Sequence, residues 1–368
     1  SRDLYQIATA LIAMGDEAAA NRALTYLFTV QQRPDGSYPQ NSRLSGEPVF
    51  GGLQMDEVSF PTLLAWRLGR TDNAAWQHIS AAEDYVVTHG PSTPGDRWEN
   101  ASGYSPASIA AEISGLVVGA RIARMHGDSA RTHTYLTTAD SWRRDLGRWT
   151  VTTNGPLSRL PYFLRITPDG DANAPTKIQL SDGGPLIDQR KVLDPSFLEL
   201  VRLGVLRPGD RRIVNTVALV DKYLGYKTAN GPFWHRASYD GYGEKSDGSQ
   251  WEPTPTGSGL THGRGWPLLT GERGEYALAA GRNAHSALAT MAASADNASL
   301  LLPEQVWDHS APAGRSPRFR PGEPTFSATP LAWTHAQFIR LAWSIDAGAP
   351  VETPQPVACR YDSPLCHR

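Results

Sequence analysis

Glu99 has the residue type and the position to act as a proton donor. It follows Trp98 on a loop, and a helix is predicted to begin a few residues later, at about Ser105. Catalytic groups concentrate on loops that a rigid scaffold carries. A carboxyl packed against an indole ring would be partly desolvated, which raises its pKa and suits it to donate a proton. An exposed glutamate beside a packing tryptophan explains the stretch equally well, so both interpretations stay open.

Glu304 is a second acid in a similar position. It lies on a loop between two predicted helices, and Trp307 follows closely. A glycosidase needs two carboxyls flanking the scissile bond, one to protonate the leaving oxygen and one to handle the attacking group. Hydration or a neighbouring cation would keep the pKa of Glu304 low. Taken alone, Glu304 fits a solvated loop carboxylate better than a catalytic base.

Two further pairs could bind a polar substrate. Arg2 and Asp3 could hold sugar hydroxyls through charge-assisted hydrogen bonds, although an aspartate near the positive end of a helix dipole is the simpler explanation. Arg264 and Trp266 set a cation and an aromatic ring where another helix begins. The histidines lack metal-ligand spacing, and neither a phosphate-binding Gly-rich loop after a strand nor a Gly-x-Ser-x-Gly elbow occurs.

Eleven predicted helices, joined alternately by short links and long loops, would carry these residues. Apolar residues recur at helical spacing in the clearest of them, and clusters of turn residues mark the loops. One short strand is predicted at 160–166. The helices are predicted from Leu4 and at about 16–32, 56–70, 72–89, 105–126, 128–149, 195–203, 208–223, 266–280, 285–294 and 330–345.

This alternation predicts an all-α ring of antiparallel helix pairs with one elaborated end. A closed ring of six hairpins needs twelve helices, so the missing one is expected before Arg2. An open helical solenoid is the competing architecture, but no sequence repeat of fixed period occurs. We expect one catalytic barrel over residues 1–350 and a Pro-rich tail over 351–368.

The composition excludes some partners and favours others. The net charge of -2 offers no electrostatic case for nucleic acid or an anionic membrane surface, and no apolar run is expected to approach the length that spans a membrane. The 11 Trp and 13 Tyr suit sugars, because these side chains combine a flat apolar face with a polar edge. Cys359 and Cys366 lie close together in the tail, where a disulfide would favour a secreted protein.

Taken together and in order, seven motifs resemble the catalytic domain of glycoside hydrolase family 15, the glucoamylases and glucodextranases. Each motif is weak alone, but together they cover nearly the whole chain. They are Ser1-Arg2-Asp3-Leu4-Tyr5, Gly52-Leu53-Gln54-Met55-Asp56-Glu57, Arg97-Trp98-Glu99, Gly103-Tyr104-Ser105-Pro106, Arg264-Gly265-Trp266-Pro267-Leu268-Leu269-Thr270-Gly271-Glu272-Arg273-Gly274, Pro303-Glu304-Gln305 and Leu331-Ala332-Trp333.

The resemblance implies an (α/α)6 barrel with the active site in its mouth and no metal or organic cofactor. The expected activity is exo-acting, inverting hydrolysis that releases β-D-glucose from the non-reducing ends of an α-glucan. Glu99 would be the general acid and Glu304 the general base. The resemblance also implies an N-terminal β-sandwich domain in the full-length protein. The residues expected to bind substrate are Arg2, Asp3, Trp98, Arg264, Trp266 and Trp333.

One departure from the family pattern concerns linkage preference. Some members carry a second acid directly after the general acid, and here that position is Asn100. The α-1,4 and α-1,6 linkages therefore both stay open. The alternative functions are a trehalase-like α-glucosidase, a catalytically silent sugar-binding module and a polysaccharide lyase. The presence of both acids argues against the silent module, and the lack of a basic groove pattern argues against the lyase.

Overall fold

Helices make up most of the regular structure in the computed structural model, which describes residues 1–314 and 318–362. All eleven predicted helices are present, and the described residues contain a twelfth. Their bounds are α1 Arg2–Ala13, α2 Glu17–Tyr26, α3 Met55–Arg67, α4 Asn73–His89, α5 Pro106–Met125, α6 Ser129–Thr150, α7 Glu199–Arg202, α8 Arg211–Tyr223, α9 Pro267–Ala279, α10 His285–Ala293, α11 Ala332–Ala347 and α12 Gln355–Tyr361.

The strands are short and lie in the loops. The described residues contain four two-stranded antiparallel ladders, β1–β2, β3–β4, β5–β6 and β7–β8. The strand predicted at 160–166 is shorter than expected and is represented by β4. The bounds are β1 Asn41–Ser42, β2 Pro48–Phe50, β3 Val151–Thr152, β4 Tyr162–Phe163, β5 Lys177–Gln179, β6 Leu186–Asp188, β7 Gly225–Thr228 and β8 Gly231–Trp234.

The odd-numbered helices form a closed inner ring. Helix α1 packs on α3, α3 on α5, α5 on α7, α7 on α9, α9 on α11, and α11 packs back on α1. Helices α2, α4, α6 and α10 pack outside against their sequence neighbours. This arrangement confirms the predicted (α/α)6 barrel. It is closed, unlike a solenoid, because the first and last helices of the inner ring are in contact.

Aspartate caps explain why several helices begin where the sequence predicts. The Asp16 carboxylate accepts a hydrogen bond from the Ala19 N–H, and Asp128 accepts one from the Arg131 N–H. Asp72 accepts from two backbone N–H groups of the first turn of α4. Each cap satisfies donors that have no partner within the helix. The predicted second helix is α-helical only to Tyr26 and continues as a π-helical turn.

Helix α5 is buried on nearly every side, as an inner-ring helix must be. By length and composition alone it could cross a membrane, so the expectation that no apolar run approaches that length is wrong; 94% of the relevant window is buried inside the fold. Gly115 lets α5 approach its neighbours closely. A Cβ there would lie 2.7 Å from the Ser59 side chain on α3 and 2.8 Å from Glu83 on α4.

Helix α12 lies in the segment predicted to be a Pro-rich tail. It packs on α5, and Val357 belongs to the main hydrophobic core. The twelfth helix therefore lies at this position among the described residues, and α1 closes the inner ring directly against α11. The predicted disulfide between Cys359 and Cys366 lies partly outside the described residues, because residues 363–368 are not among them.

A buried ion network connects four of the inner helices. Arg97 binds Glu199 on α7 and Glu272 on α9, with Nη1 to Glu199 Oε1 at 3.3 Å. Glu199 also accepts from Arg202 Nε at 2.9 Å. Arg202 and Arg340 both bind Glu352, and both donate to Gln6 on α1. Arg340, on α11, also binds Glu275 on α9. All of these charged side chains are at least 94% buried.

The buried ion network contains three guanidiniums and four carboxyls, so carboxyls outnumber cations by one. Burial raises the pKa of Glu275. Burial alone would also raise the pKa of Glu352, but Arg202 and Arg340 outweigh it and lower that pKa. Because the pKa of Glu352 is lowered, its contribution to stability is present at neutral pH and is lost as the pH falls through that value.

Glu352→Gln should destabilise the fold strongly. The amide keeps the shape of the carboxylate but leaves Arg202 and Arg340 without its charge, and breaking a buried pair in this way typically costs about 3–5 kcal/mol. Urea unfolding measures the loss. The matched control is Asp140→Asn, which removes the exposed ion pair of Asp140 with Arg360 on α12 and should cost about 0–1 kcal/mol. Equal losses in the two variants would contradict the assigned importance of the buried network.

Candidate active site

Seven of the eight sequence-predicted site residues line one cavity of about 340 Å³. They come from positions spread over most of the chain, and the closed inner ring is what brings them together. The lining residues are Arg2, Asp3, Arg97, Trp98, Glu99, Asn100, Ser181, Asp182, Arg236, Tyr242, Trp266, Glu304, Leu331 and Trp333.

The loop that carries Glu99 is held in an uncommon backbone conformation. Glu99 has φ +68°, a left-handed value that side chains larger than glycine rarely adopt. The Glu99 N–H donates to the Asp96 carbonyl at 2.8 Å, and the Asp96 carboxylate is bound by Arg165 through Nε at 2.9 Å and Nη2 at 2.8 Å. Asp182, also at the cavity, has φ +56°. Such strain costs about 1–3 kcal/mol per residue and clusters at functional sites.

The Glu99 carboxylate is more exposed than the sequence predicts. About 49% of its side chain is accessible, so Trp98 does not remove it from water. Its Oε1 lies 3.9 Å from Arg2 Nη1. Glu99 lies in the tight turn formed at 96–101, where the Asp96 N–H donates to the Ala101 carbonyl at 2.7 Å.

Arg2 is fixed before any ligand arrives. Its Nε donates to Asp56 Oδ2 at 2.8 Å, its Nη2 to Asp56 Oδ1 at 3.1 Å, and its Nη1 to the Arg97 carbonyl at 3.0 Å. The Gln54 amide oxygen accepts from the same guanidinium. Arg2 is buried, whereas Asp3 is exposed at the cavity. The pair therefore combines an immobile cation with a carboxylate open to solvent.

Three buried tryptophans form an aromatic wall. The Trp98 ring centroid lies 5.3 Å from that of Trp266 and 6.2 Å from that of Trp333. The Arg97 guanidinium stacks 4.9 Å from the Trp98 ring and 4.7 Å from the Trp333 ring, a cation–π arrangement that fixes both. Trp98 Nε1 donates to Asp194 at 2.7 Å. Within the described residues, the indole N–H groups of Trp266 and Trp333 are buried without a partner.

Glu304 differs from its predicted surroundings. It is partly buried in the cavity wall, and its N–H donates to the Ala328 carbonyl at 2.8 Å. Burial raises the pKa of Glu304, Glu244 raises it further, and Arg236 acts in the opposite direction. The expectation of a low pKa is therefore wrong, because loss of hydration outweighs the neighbouring cation.

Arg236 and Tyr242 are cavity residues that sequence reasoning did not assign. Arg236 is buried, and its Nε donates to Asp240 Oδ2 at 2.7 Å. Its guanidinium stacks 4.5 Å from the Tyr242 ring and 5.5 Å from the Trp98 ring. Burial, with Glu304 and Glu99 adding to it, raises the pKa of Tyr242 to about 12. Tyr242 is therefore within electrostatic reach of both acids. The concentration of aromatics in the loop 227–265 was the available signal.

Arg264 is the predicted site residue that does not line this cavity, and its substrate-binding role stays a prediction. Only 2% of it is exposed, and its Nη1 donates to Asp308 Oδ1 at 3.0 Å. Its Nη2 donates to the Glu244 carbonyl and, at 3.1 Å, to the Lys245 carbonyl. Three acceptors from two other segments thus draw the side chain away from the cavity that Trp266 lines.

The described ranges 1–314 and 318–362 contain no group of three or more His, Cys, Asp or Glu side chains that could hold a metal ion. The expectation that the chemistry needs no cofactor stays a prediction. What the cavity does offer is two carboxyls in unlike surroundings, fixed cations and an aromatic wall.

Comparison with known proteins finds similar sequences and a similar fold. The model of glycosyl hydrolases family 15 matches residues 1–343. A glucoamylase of Clostridium sp. (strain G0005) is 41% identical over 361 residues, covering 98% of this chain and 49% of the relative. A crystal structure of a bacterial glucoamylase complexed with acarbose has a TM-score of 0.90 at 39% identity, covering 98% of this chain and 51% of that one.

A more distant structure supports the fold alone. The glucoamylase from Saccharomycopsis fibuligera has a TM-score of 0.61 at 14% identity, covering 95% of this chain and 86% of that one. The present chain spans about half the length of the Clostridium relative and of the bacterial crystal structure.

Arg264→Lys should lower stability by about 1–3 kcal/mol, because a single ammonium cannot satisfy Asp308 and the two buried carbonyls together. Thermal and urea unfolding measure the effect. The matched control is Arg43→Lys, at an exposed arginine paired with Glu47, which should change stability by less than about 0.5 kcal/mol. An Arg264→Lys protein as stable as the control would show that the buried bonds of Arg264 are dispensable.

Proposed function

Because the chain belongs to glycoside hydrolase family 15, we propose that it is an exo-acting, inverting α-glucan hydrolase that releases β-D-glucose from non-reducing ends. The observation that carries the proposal is that Glu99 and Glu304 line the same cavity as the three tryptophans. The Clostridium relative is named a glucoamylase, and the bacterial crystal structure is a glucoamylase complexed with acarbose. Both similarities support an α-glucan as the substrate.

In this proposal the two carboxyls divide the acid and base work. Glu99 protonates the glycosidic oxygen, and Glu304 removes a proton from a water that attacks the opposite face of the sugar. Inversion requires the carboxyls to stand roughly 6.5–9.5 Å apart, which leaves room for the water. Arg236 supports the ionised form of Glu304. Burial makes Glu304 a stronger base once it is ionised.

The sugar would be held by the fixed groups of the cavity. Arg2, already oriented by Asp56, and the exposed carboxylate of Asp3 would bind hydroxyls of the terminal glucose. Trp98, Trp266 and Trp333 would contact its apolar faces, and the partnerless indole N–H groups would donate to hydroxyls.

One observation favours a second assignment within the same reaction. General acids commonly have raised pKa values, and here it is Glu304 whose pKa burial raises. The exchanged assignment makes Glu304 the acid and Glu99 the base. It predicts the opposite pattern of rescue by a substrate with a good leaving group, so the experiments below separate the two.

The preferred glycosidic linkage of the substrate depends on the residues that contact the next sugar. Asn100 lines the cavity, and its amide oxygen accepts from Arg165, which leaves the amide N–H groups as donors to the next sugar. A donor in place of a carboxylate is compatible with α-1,6 and α-1,4 linkages. Product analysis on maltose, isomaltose, trehalose, starch and dextran distinguishes these preferences and the trehalase-like alternative. Release of no sugar from any of them would support a silent binding module.

Secretion, and the additional N-terminal β-sandwich domain expected from the family resemblance, stay predictions. They concern the whole protein, and the Clostridium relative has about twice the length covered here.

Glu99→Gln and Glu304→Gln should each lower kcat by about 10²–10⁴-fold with little loss of folding, since Gln can neither donate a carboxylic proton nor act as a strong base. Glu99→Gln should be partly rescued by α-glucosyl fluoride, because fluoride departs with less need of protonation. Glu304→Gln should not be rescued, because the water still lacks a base.

The same kinetic measurements can also contradict the proposed mechanism. Rescue of Glu304→Gln instead of Glu99→Gln would establish the exchanged assignment. An α-anomer as the first-formed glucose, followed by NMR, would contradict inversion. Near wild-type turnover of Glu99→Gln on both maltose and isomaltose would contradict a catalytic role for Glu99.

Glu244→Gln should shift one limb of the pH profile of kcat/KM to lower pH. The Glu244 carboxylate raises the pKa of Glu304, so its removal lowers that pKa and lets Glu304 ionise at a lower pH. If Glu304 is the base, the acidic limb moves; if it is the acid, the alkaline limb moves. The amide oxygen introduced by the substitution can still accept the bond from the Phe326 N–H. Glu252→Gln, at an exposed carboxylate paired with Lys245, is the control and should move neither limb.

A further inference from the structure

A second cavity, of about 550 Å³, lies beside the candidate active site. The two are separated by the segment 236–240. Arg236 lines the first cavity and Asp240 lines the second, and the ion pair between them, with Nε to Oδ2 at 2.7 Å, joins the two walls. The second cavity is larger than the first and is not used by the proposed reaction.

Two exposed tyrosines lie at the second cavity. Tyr239 is 54% exposed and Tyr223, at the end of α8, is 46% exposed. Tyr239 has φ +58°, a genuine outlier for a bulky side chain, and such strain is typical of ligand clamps. Its neighbours hold it there, because Ser238 is hydrogen-bonded to the Leu193 backbone in both directions at 3.0 Å and Asp240 is bound to Arg236.

Polar groups inside the second cavity can serve hydroxyls. Its lining includes the side chains of Ser246, His235 and His262. Burial, aided by the Arg264 charge, lowers the pKa of His262. His262 is therefore a neutral imidazole at neutral pH and offers one donor and one acceptor. Aromatic faces combined with such groups suit sugars.

The charges of the second cavity favour a neutral ligand over an anion. Its charged lining consists of Lys191 and Arg264 against Asp240 and Asp308, two cations and two carboxylates. Asp308 is bound by Arg264 at 3.0 Å, and Asp240 is bound by Arg236. Both carboxylates are committed to ion pairs, so among the described residues the second cavity lacks the pair of free carboxyls that glycoside hydrolysis uses.

We propose that the second cavity is a non-catalytic binding site for α-glucan chains, in which Tyr239 and Tyr223 contact sugar rings. The identity of the ligand rests on the proposed function, because an enzyme acting on α-glucan ends meets its substrate as a long chain. A chain held beside the active site raises the local concentration of ends, which helps long substrates and not disaccharides.

Tyr239→Ala should weaken binding of soluble starch or dextran about tenfold, the loss of one aromatic contact, while kcat/KM on maltose and isomaltose stays unchanged. Affinity electrophoresis in polysaccharide gels measures binding without needing turnover. Phe50→Ala is the matched control, because Phe50 is 59% exposed and lines neither cavity; it should bind like the wild type. Circular dichroism checks folding, and Tyr223→Ala provides a second variant at the end of α8.

Unchanged polysaccharide affinity in folded Tyr239→Ala and Tyr223→Ala proteins would overturn the proposal. A parallel fall in kcat/KM on maltose would also overturn it, since the second cavity would then belong to the active site. Tyrosine-dependent binding of inorganic phosphate in place of glucan would identify an anion site instead. If the wild type hydrolyses no α-glucan, the proposed function fails, yet tyrosine-dependent retention in the gel would still support the binding site.

Discussion

The buried ion network is the constraint on which the barrel and its cavity both depend. It connects α1, α7, α9 and α11 through Arg97, Arg202 and Arg340, whose guanidiniums are removed from water. Charges in such surroundings are tolerated only when every partner is present, because an unpaired buried ion costs several kcal/mol. Removing one partner of this network would therefore leave a buried charge without its counter-ion.

Arg97 links the buried ion network to the candidate active site by direct contact. Glu199 and Glu272 hold its guanidinium on one side, while the rings of Trp98 and Trp333 cover it. Its carbonyl accepts from Arg2, which fixes the position of a second cation at the cavity. The aromatic wall and the Arg2–Asp3 pair are thus pre-organised by contacts outside the cavity, which spares a ligand the entropic cost of ordering them.

The two candidate carboxyls show how one cavity creates different surroundings for the same residue type. Glu99 lies half-exposed on a strained turn, whereas Glu304 is partly buried near Arg236 and Glu244. Acid and base roles require such a difference, and the environment rather than the residue type supplies it. The segment 236–240 separates this cavity from the second one. Arg236 lines the first cavity, Asp240 lines the second, and the two side chains form an ion pair.

Local sequence signals were sufficient for the helices and for most of the site. The 3.6-residue periodicity and the capping aspartates Asp16, Asp72 and Asp128 act within one or two turns of chain, so the positions of eleven helices could be predicted. The order of seven motifs identified the family, and the barrel followed from it. Seven predicted site residues meet in one cavity because helix ends in a closed ring converge at its mouth.

The remaining features depend on which side chains meet, and only the tertiary structure decides that. The family resemblance places Arg264 at the cavity, but in the structure Asp308 and two carbonyls distant in sequence bind it elsewhere. The raised pKa of Glu304 depends on burial, which no local pattern encodes. Arg236 and Tyr242 were missed because a long loop gives no periodicity that fixes direction. Sequence thus determines elements through local backbone preferences, whereas long-range contacts determine where charges and loops lie.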